Sequence, residues 1–182
     1  NIKINSTTKS FAQAGGTGAI TTSGSGTLAV NASADWITIT SASSAGRPIA
    51  YKVAANNSAE SRTGYIYISG YVFTVTQEGV GGALDIYSAE FETDGGRGVF
   101  GVIVDAGVTW KAQSNVDWIS VDSTVGTGEG EVAFTVAPWD EVSTRVGTIT
   151  AAGNTFTVTQ TGRRMKLSKN AIEYDYLSHA ID

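Results

Sequence analysis

Phe73-Thr74-Val75-Thr76-Gln77 recurs unchanged as Phe156-Thr157-Val158-Thr159-Gln160, 83 positions later. Outward from that block, Arg62-Thr63-Gly64 returns as Arg145-Val146-Gly147, again 83 on, and Asp35-Trp36-Ile37 as Asp117-Trp118-Ile119, 82 on. Three blocks in one order at nearly one spacing define two copies of a small domain. The copies can then be read against each other. What both keep points to architecture, and what only one keeps is free to serve function.

Period-two alternation runs through both copies. In Gly64-Tyr65-Ile66-Tyr67-Ile68 the isoleucines share one face and the tyrosines the other, and in Thr155-Phe156-Thr157-Val158-Thr159 threonines alternate with apolar residues. Such strands bury one face and wet the other. The turn signals Ser69-Gly70 and Gly153-Asn154 each join two alternating runs as a β-hairpin does. Further strands are expected at Ile2–Asn5, Ala19–Ser23, Thr27–Val30, Trp36–Thr40 and Ile49–Ala54. The second copy's are expected at Leu84–Tyr87, Val99–Asp105, Thr109–Ala112, Trp118–Val121 and Glu131–Val136. About seven strands per copy, separated by regular turn signals, predict an all-β chain of two tandem two-sheet sandwiches. The domains fall at 1–80 and 83–163, joined through Gly79-Val80-Gly81-Gly82. The remaining 165–182 reads as the opening strand or strands of an incomplete third copy, because Leu167 matches Leu84 and Tyr174 matches Phe91. Alternatively, Lys166–Asp182 is a strand-donating tail that completes a neighbouring chain's sheet.

Composition narrows the function. The 182 residues carry a net charge of −5, so a nucleic-acid partner is not expected. No apolar run approaches the ~20 residues of a membrane span. With 22 glycines, 2 prolines and no cysteine, stability rests on packing and strand pairing rather than disulfides. The single His, His179, and the lack of Cys give no basis for a zinc site or for Cys-His or Ser-His-Asp chemistry. Gly95-Gly96-Arg97-Gly98 lacks the Lys-Ser/Thr of a phosphate loop, and the recurrence of the Gly pair favours a turn. No cofactor, no metal and no enzyme activity are expected.

Jointly, several features resemble the BACON domain, a family of immunoglobulin-like β-sandwiches of Bacteroidetes and their phages. They are the Gly15-Gly16 and Gly95-Gly96 pairs after Phe11 and Phe91, the Asp-Trp-Ile blocks, the Arg-x-Gly strand starts and the closing Val75–Gly79 and Val158–Gly162. The likeness covers nearly all of 1–163. It implies two tandem immunoglobulin-like domains in surface or secreted proteins, often spacers that position other domains, with an association with carbohydrate-active proteins and no catalytic motif. The family's Trp before the middle block is matched by Trp110, whereas Leu28 holds that place in the first copy.

The candidate residues divide by recurrence. Trp36, Trp118, Phe73 and Phe156 recur and are expected in the core. Arg62 and Arg145 start a strand in each copy and can bond carbonyls of a neighbouring loop, while Gln77 and Gln160 can satisfy backbone groups at a strand end. Two aromatic features do not recur. Trp139 lies in Pro138-Trp139-Asp140-Glu141, where the first copy has Asn56; an indole beside the carboxylates of Asp140 and Glu141 can form a sugar platform, or can pack on a loop base. Tyr65 and Tyr67, replaced by Thr148 and Thr150 in the second copy, can bind a linear ligand or form a cross-strand ladder.

These readings converge on an extracellular or cell-surface, non-catalytic repeat array that spaces, displays or adheres. Its partners are neighbouring domains of a longer chain. The alternatives are a glycan- or mucin-binding module and a filament or virion subunit that self-associates through Lys166–Asp182.

Overall fold

The computed structural model describes residues 2–41 and 44–163. The expected third opening over 165–182, with Lys166–Asp182 and His179, lies outside the described residues. Among those described, all regular structure is strand. The first copy contains β1 (Lys3–Ile4), β2 (Thr8–Phe11), β3 (Gly16–Ile20), β4 (Thr22–Ser23), β5 (Val30–Ala32), β6 (Ile37–Ser41), β7 (Ile49–Val53), β8 (Arg62–Ile68) and β9 (Tyr71–Gln77). The second contains β10 (Ala83–Leu84), β11 (Ser88–Phe91), β12 (Gly96–Ile103), β13 (Thr109–Ser114), β14 (Ile119–Val121), β15 (Val125–Thr127), β16 (Gly130–Val136), β17 (Arg145–Ala151) and β18 (Asn154–Gln160).

In each copy two sheets face each other. The first copy stacks β2-β9-β8-β5 on β3-β7-β6, with β1 paired to β4 at the margin. The second stacks β11-β18-β17-β13-β15 on β10-β12-β16-β14. The alternation in the sequence is what separates inside from outside. Ile66, Ile68, Phe73 and Val75 are buried in one copy, and Ile149, Phe156 and Val158 in the other, while the intervening residues face outward.

Several elements differ from the sequence expectation. Thr8–Phe11 and Ser88–Phe91 form strands that run parallel to the last strand of their copy, although Thr-Lys-Ser-Phe and Ser-Ala-Glu-Phe carry little apolar signal. They are edge strands held by backbone bonds, which need no second apolar face. The second hairpin turns one residue earlier than Gly153-Asn154. Ala152 and Gly153 occupy its two central positions with φ of 48° and 76°, as Ser69 and Gly70 do with 45° and 94° in the first copy. Two consecutive positive φ values suit the twist of a two-residue hairpin. The Gly15 and Gly95 positions also need glycine. Each has φ near +70° and lies so close to the carbonyl of Val53 or Val136 that a side chain has no room.

The two cores are separate except at one residue. Ala59, in the loop after β7 of the first copy, is 4% exposed because it packs into the second copy's core. Within the first core, Tyr51 meets the edges of Phe11 and Phe73 at centroid distances of 6.0 and 5.9 Å. Its counterpart Phe134 makes the equivalent contacts with Phe91 and Phe156 at 5.9 and 5.5 Å. The Tyr51 hydroxyl is buried without a hydrogen-bond partner, and burial pushes its pKa up to about 12.

Tyr51→Phe, the second copy's own solution, raises stability by about 1 kcal/mol, read as a higher urea midpoint at an unchanged m-value. The unfolded tyrosine ionises near pH 10 and the folded one near 12. The unfolded chain therefore loses its proton first, and wild-type stability declines as pH rises from about 10 toward 12. The Phe variant lacks that component.

Candidate functional site

The repeated blocks meet in one place in each copy. The backbone of Trp36 lies in the turn before β6, where its carbonyl accepts from Ala54 N at 2.9 Å; Trp118 does the same with Ala137 N at 2.9 Å. The indole then meets the facing sheet at the glycine of Arg-x-Gly, on β8 or β17. A Cβ on Gly64 would lie 2.8 Å from Trp36 Cζ2, and one on Gly147 would lie 2.7 Å from Trp118 Cζ2. On its outer side each ring carries a guanidinium, with Arg62 Cζ 4.3 Å from the Trp36 ring and Arg145 Cζ 4.1 Å from that of Trp118. The indoles, expected inside, are half-buried. They pack against the core from its rim, with the glycine of the opposite sheet on one side and the arginine closing off the other.

Each arginine is fixed in turn. Arg62 Nε donates to Gln77 Oε1 at 2.9 Å, and Arg145 Nε to Gln160 Oε1 at 2.9 Å. The NH2 group of Arg62 donates to the Ala54 and Ala55 carbonyls at 2.9 and 3.0 Å, and that of Arg145 to those of Ala137 and Pro138 at 2.8 and 3.3 Å. The glutamine amides, 1% and 0% exposed, donate onward. Gln77 Nε2 bonds the Gln13 and Ala54 carbonyls at 2.9 Å each, and Gln160 Nε2 bonds those of Glu92 and Ala137 at 3.0 and 3.1 Å. Trp, Gly, Arg and Gln thus form one brace that ties the first turn, the loop after β7 or β16, and the last hairpin together. Partial burial lowers the pKa of both guanidinium groups, and the Asp117 charge opposes that shift at Arg145.

Trp139 belongs to this brace in the second copy. Its ring lies 4.3 Å from Arg145 Cζ, so the guanidinium is held between two indoles, and Trp139 Nε1 donates to the Ser143 carbonyl at 2.7 Å. One face of the ring is therefore occupied. Asp140 turns away to pair with Arg163 at 3.0 Å, and Glu141 is exposed, with its backbone carbonyl accepting from Arg163 N at 2.8 Å. In the first copy Asn56 stands at the Trp139 place, 1% exposed, and donates to the Glu60 and Glu78 carbonyls at 2.9 and 3.0 Å.

Tyr65 and Tyr67 stand apart, on the open face of the first copy's four-stranded sheet. They are 41% and 46% exposed, with ring centroids 6.4 Å apart and planes inclined at 34°. Across the hairpin they face Thr74 and Val72. On the matching face of the second copy, Asn115 Nδ2 bridges the hydroxyls of Thr148 and Thr150 at 2.9 and 3.1 Å.

The joint between the copies is a further site, and little in the sequence signals it. Ala59 N donates to the Thr109 carbonyl at 2.8 Å, Thr109 N to the Asn57 carbonyl at 3.1 Å, and Lys111 N to Glu60 Oε1 at 2.9 Å. Ser58 Oγ donates to the other oxygen of Glu60 at 2.6 Å. Beside this ladder a cleft of about 430 Å³ is lined by Ser58, Thr109, Lys111 and Val125 to Thr127. It is floored by Trp110, whose Nε1 already donates to the Gly128 carbonyl at 2.8 Å. The one available signal for the joint is that Asn56–Glu60 and Trp139–Ser143 occupy equivalent places and share no residue.

Two successive two-sheet sandwiches, each closed by a parallel pairing of an early strand with its last strand, define a tandem of immunoglobulin-like β-sandwich domains. The chain belongs to the BACON family. Residues 27–78 match BACON, described as "Putative binding domain, N-terminal", and residues 83–163 match BACON_2, described as "Viral BACON domain". No curated protein matches the chain. Among solved structures it is similar to a Bacteroides ovatus GH5 xyloglucanase in complex with a XXXG heptasaccharide, at 21% identity over 48% of this chain and 20% of that one, with a TM-score of 0.40. It is also similar to a chimeric titin Z1Z2-Z1Z2 tandem, at 11% identity over 90% and 100%, with a TM-score of 0.42. The S-layer protein SbsC, domains 4 and 5, matches at 14% identity over 75% and 77%, with a TM-score of 0.32. The chain spans one fifth of the xyloglucanase. The family and the fold make it a β-sandwich binding or spacer module.

Gln77→Ala leaves the Gln13 carbonyl and the Arg62 Nε–H without their partner and costs about 3 kcal/mol, measured by denaturant titration of the intact chain. Gly147→Ala, which drives a methyl into Trp118, costs about 1–3 kcal/mol and alters tryptophan emission.

Proposed function

We propose that the chain is a stiff two-domain spacer that holds other parts of a surface or secreted protein at a set distance and angle. The observation that carries this reading is the joint. A four-residue glycine-rich connection alone would swivel. Here it is bypassed by a second connection, in which the loop 57–60 is laid along β13 with backbone bonds at 2.8 and 3.1 Å and Ala59 lies inside the neighbouring core. Direct contact of this kind transmits orientation from one sandwich to the next.

The second copy supports the reading from its far end. Arg163 N bonds the Glu141 carbonyl at 2.8 Å just as Val80 N bonds that of Ser58 at 2.8 Å. Gly162 and Gly79 press against equivalent backbone. The loop so braced presents Val142, the counterpart of Ala59, at 62% exposure. It is a donor half-joint of the same design, suited to a following sandwich in an array.

Small-angle scattering of the intact chain fits one rigid two-domain arrangement, and nitrogen relaxation gives both halves one correlation time. Ala59→Asp, which places a carboxylate against the second core, separates the two correlation times. Independent tumbling of the wild-type halves would falsify the spacer reading.

A second reading, glycan binding, is favoured by the tyrosine face alone. Tyr65 and Tyr67 offer two open rings, with Thr74, a hydroxyl residue, paired to Tyr65 across the hairpin, and sugar C–H groups stack on such rings. Trp139 is less suited, because Arg145 already covers one of its faces. In NMR titrations with mucin O-glycans and plant polysaccharides, the Tyr65 and Tyr67 ring signals shift. The paired change Tyr65→Thr and Tyr67→Thr removes the binding without unfolding the domain, and unmoved ring signals with every glycan end this reading.

A further inference from the structure

We propose that each sandwich is a load-bearing element whose second and last strands resist tension along the chain in shear. The inference rests on the spacer reading for its use, since a spacer between two anchored parts is pulled from both ends. The geometry that carries it is independent of that use.

In the first copy β2 runs parallel to β9, from Thr8 opposite Thr74 to Phe11 opposite Gln77. Bonds from Thr74 N to the Thr7 carbonyl at 2.7 Å and from Glu78 N to the Phe11 carbonyl at 3.0 Å extend the ladder at either end. The second copy repeats the arrangement, with Ser88 to Phe91 beside Thr157 to Gln160. Its end bonds run from Thr157 N to the Tyr87 carbonyl and from Thr161 N to the Phe91 carbonyl, both at 2.9 Å. Of the four residues in these edge strands only the Phe is shared, yet the register is the same.

Because the pairing is parallel, the chain enters the ladder at one end and leaves it at the other. Tension then drives the two strands past each other along their length and loads every bond together. Strands attached at the same end would instead peel open bond by bond. The exit end is reinforced. The Gln77 amide bonds the Gln13 carbonyl, just past β2, and the Arg62 guanidinium; Gln160 does the same with Glu92 and Arg145. β9 and β18 are also anchored inward by seven-residue pairings with β8 and β17. The two-residue pairing of β1 with β4 lies upstream of this clamp and yields before it.

The test is single-molecule pulling of the intact 182-residue chain, whose lack of cysteine allows attachment at introduced thiols. Since the Thr7 and Phe11 carbonyls face β9, strand alternation turns the Lys9 amide to β9 and the Ser10 amide to the free edge. Under end-to-end load Lys9→Pro speeds the first copy's unfolding roughly fivefold or more. Ser10→Pro keeps every backbone bond to β9 and loses only the exposed Ser10–Thr76 hydroxyl contact at 2.8 Å, so it changes the rate less than Lys9→Pro does. Only one of the two unfolding steps in each trace is altered, and the other stays unchanged in both. Pulled instead between the N terminus and Val72→Cys, an exposed position at the entry end, the first copy opens at a lower load. Equal effects of the two prolines, or a load that does not depend on direction, overturns the proposal. Should Lys9→Pro keep the first copy from folding, the comparison of directions in the otherwise wild-type chain decides. Scattering at zero load reports the joint separately, so a limp joint with a direction-dependent clamp removes the spacer reading alone.

Discussion

A guanidinium laid on an indole and locked by a buried amide is the interaction on which each sandwich depends. The Trp ring bridges from the turn before one strand to the glycine of another, but it sits at the rim and leaves one face toward water. Arg62 or Arg145 covers that face, which contributes roughly 0.5–2 kcal/mol as a cation–π contact. The larger consequence is geometric. The same guanidinium holds two loop carbonyls and a glutamine, and that glutamine holds carbonyls of the first turn and the far loop. Buried carbonyls left without donors cost about 1–3 kcal/mol each. The brace therefore fixes three stretches of irregular backbone that no strand pairing reaches. In a domain without disulfides it does the tying that cross-links do elsewhere.

That constraint also sets where the joint forms. The loop after β7 begins at Ala54 and Ala55, whose carbonyls the Arg62 guanidinium holds, and continues through Asn56, which bonds the Glu60 and Glu78 carbonyls. Residues 57–60 leave this anchored base in one direction, onto β13. A loop with a free base would pay for such docking with the ordering of its whole length. In the second copy the base is the same, held by Arg145, and Trp139 adds a second indole to it. Trp139 thus replaces the buried amide of Asn56 by an aromatic lid on the arginine. The two residues differ in chemistry and serve the same loop.

The strands that bury one face were legible in the sequence, because alternation between water and core leaves a period-two trace in Gly64–Ile68 and Thr155–Thr159. The parallel edge strands were not. Thr8–Phe11 faces solvent at three of its four residues, so its side chains carry no trace of a pairing made by backbone groups alone. Recurrence marked Trp36, Arg62 and Gln77 as a set, but their contact depends on β8 and β9 placing Arg62 opposite Gln77, a register that spacing does not give. The half-exposed position of the indoles was hidden for a related reason. An aromatic in a repeated block reads as core, and only the folded loop shows that its cover is an arginine. The joint was hardest to read, since it is built from Asn57, Ala59 and Thr109 backbone and from a small apolar residue with no distinctive chemistry.

The division between shared and unshared residues finally bears on where a ligand can bind. The Trp, Gly, Arg and Gln kept by both copies are consumed by the brace, where the guanidinium and amide groups are directed at one another and at loop carbonyls. The unshared Trp139 is consumed as well, through its stacked face and its indole N–H. Tyr65 and Tyr67 differ in kind. Nothing in their own sheet requires aromatic rings, because the second copy builds the same face from Thr148 and Thr150 tied by Asn115. A pair of large apolar rings at 41% and 46% exposure, where hydroxyl groups suffice for folding, is surplus to architecture. A recognition surface on this binding or spacer module therefore belongs on that face of the first copy and not at the repeated tryptophans.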